Sequence, residues 1–397
     1  MDPYAPLRSR DLRFLLTGTF LSSFGLQMIW VAASWDLYQK THSAFVLGNV
    51  GFVQVAPFVF LALVAGHIAD RYDRRKILAG MQIPLVVSSA ILVFAGASVG
   101  LIYFCLFLNA CARALQSPSR QAILPHVVEL DQLRTAITWN STAQEIATVT
   151  GPALAGALIA FSGTRSVYIS QLVCTVLSLV CFYSIRPREG GIAVSPQQEE
   201  RSLLEGVRFV RDNKLVLAAL SLDLFAVLFG GATALLPIYA VDILHVGAHG
   251  LGWLRAAPSV GAVAMALTQT HLPKIRNAGR ALLWAVAGFG IATIVFGISR
   301  SLPLSIAMLV LTGAFDNISV VFRSSLVQVE TPDYLRGRVF AVNAIFISCS
   351  NQLGAVESGW TAAWFGAVPS VVGGGVATVL IVLGFSALAS QLRRWQQ

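Results

Sequence analysis

The sequence has 397 residues, of which 56% are apolar and only 12% charged. A soluble domain carries about one-quarter charged residues, so this chain has too few polar side chains to cover a surface facing water. That excludes a disordered chain, a collagen-like fibre and an ordinary soluble enzyme, and leaves a polytopic membrane protein.

Residues 1–13 are short and charged, and the apolar run after them is too long for a signal-peptide core, which makes it an uncleaved first span. A helix needs about 20 apolar residues to cross a ~30 Å hydrocarbon core. Such runs occur at 14–38, 44–68, 77–96, 101–124, 135–161, 167–185, 215–241, 251–272, 281–298, 303–329, 339–360 and 363–389. They are apolar all round rather than alternating, which predicts helices and not barrel strands. The longest polar stretch, 186–214, separates six runs from six. Its second part, with Leu203, Leu204, Val207 and Val210 between charges, has helical spacing and predicts an amphipathic helix on the membrane surface. The expected fold is an all-α membrane protein with twelve transmembrane helices in two pseudo-symmetric six-helix bundles. Residues 1–186 form the first bundle, 187–214 a cytoplasmic linker and 215–397 the second bundle.

The chain carries a net charge of +9, and Lys/Arg bias sets its orientation. With both termini inside, 23 of the 28 Lys and Arg fall at cytoplasmic ends and loops, including Arg120 and Arg323, and 3 fall outside. Orientation therefore explains the basic balance without nucleic acid. The five cysteines lie in apolar runs with no CxxC pair, the six histidines form no ligand cluster, and no phosphate-cradling GxxxxGK[ST] loop occurs. No metal, cofactor or ATP hydrolysis is expected, and the chain is read as a monomer.

The two halves match weakly at an offset near 202. Gln54–Pro57 matches Arg255–Pro258, Asp131–Arg134 matches Asp333–Arg336, and Arg120 matches Arg323. A duplicated six-helix half is a transporter architecture, with the binding site near the midplane between the repeats.

After the second span the chain reads Gly66-His-Ile-Ala-Asp70-Arg71-Tyr-Asp73-Arg74-Arg75-Lys76. This resembles the signature of the major facilitator superfamily, GxxxDRxGRR[KR], matching at Gly66, Asp70, Arg71, Arg74, Arg75 and Lys76, with Asp73 in place of a glycine. The resemblance extends over the whole chain through span count, midpoint loop and repeat. It implies that this loop latches the halves and is broken as the transporter switches. The fourth span carries Arg113-Ala-Leu-Gln116-Ser117-Pro118, similar to the superfamily's RxxQGxG element of proton-coupled members, with Ser117 and Ser119 in place of both glycines. The fifth carries Gly151, Pro152 and Gly156, similar to the Gly-Pro hinge and packing element of exporters, with Thr138 and Ala147 where upstream glycines would stand. Residues 70–78 and 113–125 most resemble the bacterial drug-efflux branch that contains the enterobactin exporter.

Charges inside spans are costly and mark function. Asp223 lies in the seventh span, Asp316 and Asn317 in the tenth and Glu145 in the fifth. An offset of 203 aligns Arg113 with Asp316, so opposite charges occupy equivalent places. In the superfamily, spans 1, 4, 7 and 10 line the central cavity. Arg113, Asp223, Asp316, Asn317 and Glu145 are the candidates for the cavity and for proton coupling. The implied function is export of small amphipathic molecules, drugs or siderophore-like compounds, by alternating access across the bacterial inner membrane, driven by protons. An importer of a polar solute and a lysophospholipid transporter are the alternatives. Reporter fusions at Gly190 and Ala248 are expected to read inside and outside respectively, and the opposite result contradicts this orientation.

Overall fold

The computed structural model describes residues 4–96, 98–186, 203–271, 277–388, 393 and 395. Twelve helices among them are long and apolar enough to cross a membrane. The first half contains α1 (Arg10–Thr41), α2 (Ala44–Arg71), α3 (Arg74–Gly80), α4 (Gln82–Phe94), α5 (Val99–Ile123), α6 (Leu133–Ser162) and α7 (Thr164–Ser184). The second contains α8 (Leu203–Asp212), α9 (Lys214–Gly230), α10 (Leu236–Ile238), α11 (Gly247–His271), α12 (Ala278–Ile298), α13 (Leu302–Glu330), α14 (Arg336–Phe365) and α15 (Ala367–Leu388). Helices α3 and α4 form one span, as do α9, α10 and the π-helical turn Tyr239–Ile243. In hydrocarbon every backbone N–H and C=O must be satisfied within its own segment, and the α-helix does that.

Polar side chains cap some of these helices. Ser9 accepts from Leu12 N at 3.3 Å to cap α1 and donates to the Val127 carbonyl at 3.0 Å. Asp73 caps α3 by accepting from Arg75 N at 2.9 Å, and Asn213 caps α9 through Leu215 N and Val216 N. The residue expected to be glycine in the signature loop is thus a helix cap.

Two compact units result. Unit 1 comprises Met1–His42, Val53–Pro196 and Gly247–Ala256; unit 2 comprises Ser43–Phe52, Gln197–Val246 and Ala257–Gln397. The first turns of α2 therefore pack in unit 2, and those of α11 in unit 1. Glycines allow both exchanges. A Cβ on Gly156 would lie 2.6 Å from the Gly252 Cα in unit 1, and one on Gly359 would lie 2.3 Å from the Gly48 Cα in unit 2. Gly156 and Gly359 are 203 residues apart. The same spacing separates His42 from His245 and Gly163 from Gly366, four residues with positive φ that turn the chain between helices. The sequence repeat is therefore a backbone repeat. Each unit has its own apolar core. Leu12, Leu15, Leu78, Ile123 and Phe182 pack together in unit 1, and Val216, Leu220, Leu282, Leu326 and Val339 in unit 2.

Two features depart from the expectations. Helix α8 is turned partly onto protein and not wholly onto the membrane surface. Gly206 lies against Arg338, Val210 is buried in the unit 2 core, and Glu205 pairs with Arg338 at 2.6 Å, while Val207 stays exposed. The seventh span is interrupted: α9 ends at Gly230, and a 3-10 turn, Ala232–Leu235, follows. The Gly231 carbonyl released by the break accepts from Ser358 Oγ at 3.1 Å, and the Ala226 carbonyl accepts from Thr378 Oγ1 at 3.2 Å.

Without a hydrophobic driving force in lipid, helix contact relies on close packing of small residues. Gly156→Ala and Gly359→Ala are each expected to destabilise the chain by ~1–3 kcal/mol through overpacking, read as a lower melting temperature of purified protein. Gly373→Ala, whose Cβ would meet no atom within 4 Å, should not. Equal effects at all three positions contradict the packing account.

Candidate functional site

Helix α5 presents Asn109, Arg113, Gln116 and Arg120 at spacings of four, three and four residues, which places them on one face. That face, with residues of α1, α6 and α7, encloses a cavity of about 140 Å³ in unit 1. Gln116 is 2% exposed and is fixed at both ends of its amide. Its Nε2 donates to the Leu78 carbonyl at 3.1 Å, and its Oε1 accepts from an Arg120 Nη at 2.8 Å. Arg120 Nε is buried with no hydrogen-bond partner. Arg113 is exposed to the cavity and makes no ion pair among the described residues.

The opposite walls are neutral and polar. Ser22 and Gln27 come from α1, Gln144 and Thr148 from α6, Gln171 and Thr175 from α7. Gln82 Nε2 donates to Ser22 Oγ at 3.1 Å, and Asn109 Nδ2 donates to Ser88 Oγ at 2.8 Å. Among the described lining residues there is no carboxylate, and the two guanidinium groups are their only formal charges.

Unit 2 treats the equivalent position differently. Arg323, 203 residues beyond Arg120, is carried inside α13 and forms an ion pair with Asp223 of α9. The two side chains are 2% and 7% exposed. Arg323 was expected at the cytoplasmic end of its span with the orienting charges. It is buried in the core seven residues before the end of α13, where Asp223 neutralises it. Asp316 and Asn317 lie earlier on α13, partly buried. Asp316 has no hydrogen bond or ion pair among the described residues, and Asn317 Oδ1 is buried without a partner.

The remaining candidates are more dispersed. Glu145 follows a lining residue on α6 but is exposed and does not line the cavity. Gly151 packs against α1, where a Cβ would lie 2.8 Å from Gln27 Cβ, and Pro152 is accommodated inside α6. In the signature loop, Gly66, Asp70 and Arg71 lie outside the described residues as far as side chains are concerned. Arg74 donates to the Ala122 carbonyl at 3.1 Å and meets His126 Nε2. Burial, and then the charge of Arg74, push the His126 imidazole below its ordinary value. Arg75 binds the Tyr183 carbonyl and lies 5.0 Å over its ring, while Lys76 is exposed. Arg74 and Arg75 are thus bonded to α5, to the turn after it and to α7. The buried Asp36 accepts from Tyr168 at 2.7 Å.

The polar face of α5 was only half read from sequence. Arg113 stood out as an intramembrane charge, whereas Asn109 and Gln116 did not, although their helical spacing to Arg113 and Arg120 was visible. The Asp223–Arg323 pair had no sequence signal, since its members lie 100 residues apart.

A family model described as "Transmembrane secretion effector" matches residues 1–397. The enterobactin exporter EntS of Citrobacter koseri is 26% identical over 395 residues, covering 97% of this chain and 93% of that protein. The staphyloferrin A transporter of Staphylococcus aureus is 22% identical, with 96% and 97% covered. Among solved structures, a bacterial homologue of the human lysosomal transporter Spinster, in an inward-facing and occupied conformation, superposes with a TM-score of 0.78 at 16% identity, covering 100% of this chain and 99% of that one. Twelve spans, a backbone repeat and a match over the full length together make this chain a member of the transmembrane secretion effector family of major facilitator superfamily transporters.

Proposed function

We propose that the chain exports a small siderophore-like or drug-like molecule from the cytoplasm by alternating access, driven by proton entry. The observation that carries this reading is the match over nearly the full length to two proteins named for siderophore transport. The polar cavity in unit 1 supports it, since a transporter needs groups that orient a solute at membrane depth.

Proton coupling requires an acid able to lose its charge, and a fixed counter-ion opposes that. Asp223 has such a counter-ion in Arg323. Asp316 has none among the described residues and lies on the same helix as Arg323. Asp316 is therefore the better carrier, with Asn317, whose Oδ1 is buried without a partner, next to it in the chain, and Asp223 is a structural anchor of unit 2. The signature loop, with Asp70 at its centre, is the proposed latch that the cycle breaks.

The roles of the two acids separate experimentally. In proteoliposomes, Asp316→Asn is expected to lose uphill transport driven by a pH gradient by at least tenfold while keeping exchange. Asp223→Asn leaves Arg323 buried without its partner, which typically costs ~3–5 kcal/mol, and is expected to lose folded yield. The double change Asp223→Asn/Arg323→Gln should restore part of that yield. Unchanged uphill transport in Asp316→Asn excludes it as the carrier.

A further inference from the structure

We infer that the unit 1 cavity binds an acidic group of the transported molecule between Arg113 and Arg120, so that the cargo is an organic anion. This deepens the export reading and rests on it for the word cargo.

The inference comes from an imbalance of charge. Arg120 and Arg323 occupy equivalent positions of the repeat. Arg323 is neutralised by Asp223, and that pair is closed to solvent. Among the described residues Arg120 has no such acid. Its guanidinium bonds to the neutral amide of Gln116, and its Nε, like that of Arg323, is buried without a partner. Arg113, two turns earlier on the same face, adds a second cation, and none of the described lining residues is acidic. Guanidinium groups do not exchange protons in proteins, so this cavity is unsuited to relaying protons and suited to holding an anion.

The surrounding groups fit the same ligand. Gln116, locked through the Leu78 carbonyl, holds Arg120 in place and so pre-organises a fork that matches the two oxygens of a carboxylate. Ser22, whose Oγ accepts from Gln82, and the amide of Gln144 supply neutral donors on the facing walls. At about 140 Å³ the cavity takes a carboxylate, phosphate or small aromatic acid, or one acidic arm of a larger molecule. A cationic drug would meet two like charges there with no compensating acid.

The test uses the full chain in lipid nanodiscs made with phosphatidylcholine. Millimolar citrate and salicylate, against chloride at equal ionic strength, are the anionic probes, and ethidium is the cationic one. Ligand that binds only the folded state raises the melting temperature. At least one acid is expected to raise it by several degrees, with an apparent affinity at least tenfold weaker in Arg113→Gln and in Arg120→Gln. Arg113→Lys should keep part of the response, and Arg165→Gln, in the first turn of α7 and away from the cavity lining, all of it. The wild-type comparison of acid with ethidium stands even where a variant folds poorly. Failure of both acids, an equal response in the Arg113→Gln/Arg120→Gln double variant, or a larger arginine-dependent response to ethidium would each overturn the inference. An arginine-dependent response only to phosphatidylglycerol overturns it in favour of a lipid headgroup site. If the acids bind through the arginines but everted vesicles expressing the chain accumulate neither acid nor dye, the export reading fails and anion binding stands. If the vesicles accumulate ethidium while no acid binds, the export reading stands and this inference fails.

Discussion

A charge inside a bilayer must be paired, hydrated or absent, and the arrangement of this chain follows from how each unit meets that demand. A central Arg or Asp costs ~2.5–3.5 kcal/mol on insertion scales, so neither persists without a compensating arrangement. Unit 2 compensates by pairing Asp223 with Arg323 across α9 and α13, and so closes its core. Unit 1 leaves Arg113 and Arg120 facing a polar cavity. The first solution is self-contained, whereas the second is completed by water or by a ligand.

The contrast is sharper because the scaffold around it is repeated. Paired positive-φ residues turn the chain at His42 and His245 and at Gly163 and Gly366, and the glycine crossings Gly156–Gly252 and Gly48–Gly359 hold the exchanged helix ends. The arginine at 120 and 323 is itself part of the repeat. What differs is one position: Asp223 stands on α9, and Phe20 stands 203 residues before it on α1. A duplicated fold thus carries a neutral buried anchor in one copy and a cationic cavity in the other.

Much of the fold was legible because the bilayer imposes it. Apolar runs of about 20 residues are long and unambiguous, and all twelve spans stood out with their midpoint loop. What was hidden depended on contacts between distant residues. Arg323 counted only among the orienting charges because its partner lies on another helix. The break at Gly230–Gly231 was masked by uninterrupted apolarity, although a Gly-Gly pair followed by Pro237 was its signal. The exchange of helix ends follows from Gly48 and Gly252, whose role depends on what they touch. Arg113 could be read because a lone cation in an apolar run is conspicuous, whereas Gln116 and Asn109 acquire meaning only from the helical face they share with it.

The claim on which the functional account turns is that the two arginines of unit 1 share an anion. A crystal structure of the chain soaked with a bromine-substituted benzoate would test it most directly, because bromine is located by its own anomalous signal. The account predicts a bromine peak in the unit 1 cavity with the carboxylate in hydrogen-bond contact with Arg113 or Arg120. A cavity filled by a carboxylate side chain of the protein, or bromobenzoate bound only elsewhere, would contradict it.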